Sequence, residues 1–198
     1  MELVFHEAAH GVVAAVLKTK VHSLTTGVDS GRLHYTMFCD EDLPVGSAYI
    51  SDLQFRLITK DCTVGLAGIN AVMRFSQVSF WEGVQRGGWS DYFGVNDLAS
   101  LLRPEIRSFM INQANEWAEA IVEAEWGIIG MVAKILADEN TAQETYILDL
   151  LNKFGTQWEL APWNDAHWNE YVGSCECDED VEDDDGDREL LDGHLTVR

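Results

Sequence analysis

Positive charge is scarce in this sequence. Thirteen lysines and arginines face thirty-four aspartates and glutamates in 198 residues, a formal net charge of −21. Such a chain has no electrostatic means of gripping nucleic-acid phosphates or an anionic membrane surface. Long apolar runs are lacking as well. No stretch approaches the ~18 uninterrupted apolar residues of a membrane helix, and no basic leader runs into an apolar segment with a small-residue cleavage site. The chain reads as soluble, unexported and cytoplasmic. Cysteine is sparse: Cys39, Cys62, Cys175 and Cys177 form no framework, and the last two are only two positions apart. That spacing argues against a disulfide scaffold and favours a reducing compartment. A G-x-x-x-x-G-K-[ST] phosphate loop is also missing, so the chain carries no nucleotide motor of its own.

What is present is core material, with 46% hydrophobic residues and seven tryptophans. This suffices for one well-buried domain and a tail. Its most informative stretch is His6-Glu7-Ala8-Ala9-His10. Residues four apart on a helix share a face, so His6 and His10 can offer two imidazole nitrogens to one ion. Glu7, about 100° round the helix, falls beside that ion, where it can hold and deprotonate a water. HExxH is the zincin arrangement, and its chemistry demands this spacing. Phe5, Ala8, Ala9, Val12, Val13 and Val16 follow helical periodicity, which predicts a core-packed helix from Glu2 to Lys18.

Downstream, Val21–Thr26 alternates as a strand, Asp29-Ser30-Gly31 marks a turn, and Arg32–Met37 reads as a second strand. His22 and His34 on these strands are more simply surface residues than ligands. Helical periodicity returns from Ser47 to Ser76, with a break near Cys62, where Gly65 and Gly68 suggest close helix packing. Glu82–Ser90, with three glycines, reads as a flexible loop delivering Asp91 to a helix capped by Ser90. That helix runs to Pro104, a long one covers Ile106–Ala137, and a last one covers Glu139–Phe154, capped by Asn140 or Thr141. Residues 1–154 thus form one mostly helical domain with a small strand element, of α+β type. Residues 155–173 are an extension holding Trp158, Trp163 and Trp168. In 174–198 eleven acids stand against Arg188 and Arg198, and this run reads as a solvated, disordered tail. Cys175-Glu176-Cys177 within it is weak evidence for metal scavenging.

Two histidines leave a zinc site incomplete, since a catalytic zinc takes three protein donors and keeps one position open. On the residues alone the third donor is Asp91, Asp97, His34 or Cys62. A resemblance selects among them. Phe5-His6-Glu7-Ala8-Ala9-His10-Gly11 resembles the Y-H-E-A-G-H-A motif of the FtsH family of AAA zinc proteases. Val21–Thr25 with Gly31–Thr36 is similar to that family's strand pair, Leu66-Ala67-Gly68-Ile69-Asn70-Ala71 to its L-G-G-R-A-A helix, and Gly88-Trp89-Ser90-Asp91 to its G-A-S-N-D segment. Val132–Leu136 and Leu148–Leu151 resemble its closing helices, so the likeness spans residues 5–154. Ala9 replaces the family's glycine, and Val72 and Met73 stand where it has acidic residues. The ATPase and membrane anchor have no counterpart.

The resemblance implies a zincin-like helical peptidase domain with HExxH on its first helix, zinc held by His6, His10 and Asp91, and Glu7 as general base. The implied activity is ATP-independent endoproteolysis of peptides or unfolded segments, with Leu33–Thr36 pairing along an extended substrate. The alternative from another class is a non-catalytic module that keeps its metal as a staple and engages a basic partner surface through the acidic tail.

Overall fold

The computed structural model describes residues 1–19, 21–26, 34–35 and 52–158, with main chain only for 21–23, 34–35 and 52–54. Among the described residues seven α-helices and three strands follow in order: α1 (Glu2–Val16), β1 (Val21–Thr25), β2 (His34–Tyr35), α2 (Asp52–Ser76), α3 (Phe80–Gly83), α4 (Trp89–Ser100), α5 (Pro104–Ala124), α6 (Trp126–Glu139), β3 (Thr141–Gln143) and α7 (Glu144–Phe154). The described fold is mostly helical with a small sheet, and Met1–Glu159 forms one compact unit. Among the described residues no helix is long and apolar enough to cross a membrane.

Helix α1 is the axis of this unit. Every residue from His6 to Val16 is buried, because α2, α6 and α7 enclose it from different sides. A helix enclosed in this way draws its stability from packing. Each fully buried valine, such as Val12 and Val13, contributes about 1.5–3 kcal/mol over its exposed state. The turn before His6 is clasped by rings: Phe5 lies 4.7 Å from Phe75 and 5.1 Å from Trp126. Arg74 sits over the Trp126 ring at 4.8 Å.

The sheet has the order β2-β1-β3, antiparallel throughout, with Leu24 opposite Ala142 and an irregularity where β1 meets β2. Strand β3 corrects the expected cap at Asn140 or Thr141. Asn140 instead ends α6 in the left-handed conformation (φ 58°), which turns the chain so that Thr141–Gln143 pairs with β1 before α7 begins.

Three further expectations change. Helix α2 is unbroken at Cys62, and the expected Ile106–Ala137 helix is two helices meeting at Glu125. Glu125 is buried there, and its carboxylate accepts hydrogen bonds from the Thr156 amide (2.9 Å) and the Trp158 indole (2.7 Å). The segment expected as a loop is helical for most of its length. A capping box between Ser79 and Glu82 starts α3, a π-helical turn follows over Val84–Gly88, and Gly87 (φ 145°) supplies the one conformation there that a side chain would strain. Gly88, rather than Ser90, is the residue before α4. The Arg32–Met37 strand is described only at His34–Tyr35. The side chains of His22 and His34, and everything from 159 to 198, including the acidic run and Cys175/Cys177, lie outside the described residues.

Candidate metal centre

Three ionisable side chains, His6, Glu7 and His10, occur together on the enclosed helix α1, each no more than 5% exposed. Burying such groups is costly unless partners compensate them. For the histidines the partners come from α2 and α4. The His10 Nδ1–H donates to the Val64 carbonyl at 2.6 Å, which orients the ring and leaves Nε2 as the free face. The Nε2 atoms of His6 and His10 stand 3.0 Å apart. Asp91, in the first turn of α4, brings its Oδ2 to 2.9 Å from His6 Nε2 and 3.6 Å from His10 Nε2.

The glycine at position 68 makes this convergence possible. A Cβ there would stand 2.5 Å from His10 Nε2 and 2.6 Å from two atoms of the His6 ring, so α2 can back the imidazole pair only where it has no side chain. Gly65, one turn earlier, admits Val95 of α4 in the same way, with 2.9 Å from such a Cβ to Val95 Cγ2. The close approach expected at these two glycines is thus between α2 and the two elements that carry the donors.

The donor set fits a cation. His6, His10 and Asp91 are the group of metal-binding character among the described residues. Their mutual separations of 2.9, 3.0 and 3.6 Å bracket the ~3.3–3.4 Å edge of a tetrahedron whose donors lie about 2.0–2.1 Å from its centre. Asp91 Oδ2 is sealed from water and has no hydrogen-bond partner, although it stands 2.9 Å from His6 Nε2. An orphaned buried oxygen pointing between two imidazole nitrogens is what a shared cation would satisfy.

The charges tell the same story. Burial alone would lower His10, but the Asp91 carboxylate, with Glu7 and the Val64 carbonyl behind it, pushes it up to about 9. Burial would raise Asp91, but the His10 charge beside it holds that carboxyl well below the usual carboxylate range. Protons and a metal ion compete for the same ring nitrogens, so metal binding at this centre depends on pH.

Two of the other shortlisted donors, Asp97 and Cys62, lie elsewhere, and the His34 side chain is outside the described residues. Asp97 is exposed on α4. Cys62 is buried with its thiol directed at the Val95 carbonyl 3.8 Å away, and burial pushes that thiol up to about 12, so it stays neutral. Sequence reasoning missed the Val64 carbonyl, which no motif can announce because any residue supplies it. It also missed the tether of Glu2 to Ser76 and to Arg86 (2.8 Å), which ties the start of α1 to the end of α2 and to the turn preceding α4. The sequence matches no model of a known protein family and no curated protein.

Proposed function

We propose that this chain is a zinc-dependent metalloendopeptidase that hydrolyses peptide bonds in peptides or unfolded protein segments without ATP. The observation that carries this reading is the approach of Asp91 to the imidazole pair of an HExxH helix, with the buried Glu7 alongside. Two histidines and a carboxylate suit zinc, and three protein donors rather than four leave a position free for chemistry. The Asp91 side chain is 22% exposed, so α4 carries this donor at the border between the core and solvent. The ordered likeness to FtsH-type peptidases gives the same reading from the sequence side.

His6, His10 and Asp91 would hold the ion. When bound, zinc would supply Lewis acidity toward the scissile carbonyl and the attacking water. The Glu7 carboxylate accepts a proton from that water and returns it to the leaving amine nitrogen. Val64 keeps His10 in the orientation this requires. Strand β2, at an edge of the sheet among the described residues, offers main-chain groups to an extended substrate, a mode indifferent to side-chain sequence.

Glu7→Gln provides the test. Cleavage of unfolded casein by the zinc-loaded protein is expected to fall by about 10²–10⁴-fold, with bound zinc unchanged at one per chain. Full activity in that variant removes Glu7 from the mechanism, and bound metal without any cleavage by the native chain leaves the non-catalytic module in its place.

A further inference from the structure

On the outer side of α3 and α4, away from the metal donors, the structure leaves a run of aromatic rings uncovered. Trp81, Trp89 and Phe93 are 55%, 46% and 59% exposed. They are not scattered. Trp89 stacks on Phe93 at 5.5 Å, Phe93 meets Tyr92 at 6.5 Å, and Tyr92 meets Trp81 at 5.2 Å. Isolated exposed rings are ordinary, but three exposed rings linked in a chain through the half-buried Tyr92, on helices whose inner faces hold the fold together, make a preassembled platform.

The charge around the platform indicates its occupant. Trp89, Phe93 and Asp97 recur every four residues along α4 and so share its outward face. Asp97 is exposed, and no hydrogen bond or ion pair to its carboxylate is seen among the described residues. Arg86, the one basic residue between positions 80 and 100, is drawn off by Glu2 at 2.8 Å, and Arg107, beside the end of α4, is engaged by the Ser100 and Leu102 carbonyls. Ring faces attract cations through their quadrupole, tryptophan most strongly, and a free carboxylate at the end of the stack adds a full charge. Two copies of a chain carrying −21 repel each other, whereas a basic segment is attracted from a distance. We propose that the Trp81–Tyr92–Phe93–Trp89 platform with Asp97 is a docking surface for polypeptide segments bearing lysine or arginine. Trp89 and Phe93 lie about 160° round α4 from Asp91, and docking there does not depend on turnover at the metal centre.

The test uses the full chain and a fluorescently labelled lysine octapeptide, with the same peptide acetylated on every side-chain amine as the comparison. Binding of the lysine peptide is expected to be salt-dependent and at least tenfold tighter than that of the acetylated peptide. Trp89→Ala/Phe93→Ala should weaken it about tenfold and Asp97→Asn severalfold, with helix content and bound zinc unchanged. Undiminished binding in both variants would assign the peptide to other acids of the chain and overturn the proposal. Equal binding of the acetylated peptide would make the surface a generic apolar face. A native dimer in sedimentation that dissociates in the double variant would make it a contact between copies. Either result overturns the proposal.

Discussion

Asp91 and Asp61 are both aspartates with an Oδ2 that is sealed from water and unpartnered, yet their carboxyls move in opposite directions. Asp91 is held low by the neighbouring His10 charge. Asp61, on the same stripe of α2 as Gly65 and Gly68, is pushed up to about 7 by burial, with only a weak opposing pull from Lys60. Burial by itself therefore drives a carboxyl in this core toward its neutral form. The negative charge at Asp91 exists because imidazoles were brought to it, and that difference separates a donor from a passenger.

Removing each carboxylate should separate the two cases most widely. Asp91→Asn is expected to lower zinc affinity by more than about 100-fold, since even loss of an outer partner of a metal ligand costs 10–100-fold. Competition with a chelating dye measures it, and native affinity in the variant would exclude Asp91 as a donor. Gly68→Ala should come next. Its methyl would press on both rings at 2.5–2.6 Å, an overpacking of about 1–3 kcal/mol that displaces the nitrogens. The variant should stay folded by circular dichroism while binding zinc roughly tenfold more weakly. Unchanged affinity would mean that α2 yields rather than the imidazoles.

Asp61→Asn carries the smallest effect and reads out in stability alone. A carboxyl raised from 3.8 to about 7 binds more protons in the folded than in the unfolded state between those values. The native protein therefore loses stability as pH rises across that window. The variant should flatten this slope and at pH 8 gain about 1–3 kcal/mol in urea unfolding, because no charge is then forced into the core. Zinc affinity should not change. A slope that survives the substitution would trace to other groups.

The contrast also explains what could be read in advance. The i, i+4 histidines and their apolar surroundings announce α1, because the apolar spacing and the ligand pair use the same helical period. The residues themselves left Asp91 level with Asp97, His34 and Cys62, and only the likeness to FtsH-type segments selected it, while Asp61 went unnoticed, since a carboxyl amid a helical pattern looks like any solvated one until its neighbours are known. Strand β3 is three residues long and exists through its pairing with β1, which local sequence does not encode. The corner at Glu125 has neither proline nor glycine of its own, so periodicity runs straight through it. At Ser79-Phe80-Trp81-Glu82 the capping signal was in the letters, but the glycines after it drew attention to a loop.

Val64 and Gly68, one turn apart on α2, serve the centre without contributing a single side-chain atom: one lends a carbonyl to His10, the other an empty space. Side-chain scanning at position 64 therefore reads only the packing of a fully buried valine and not the carbonyl that orients the ring. Only an edit to the main chain itself, such as exchanging an amide for an ester, can expose that half of the design. A catalogue of tolerated substitutions at this centre will thus understate how much of helix α2 it recruits.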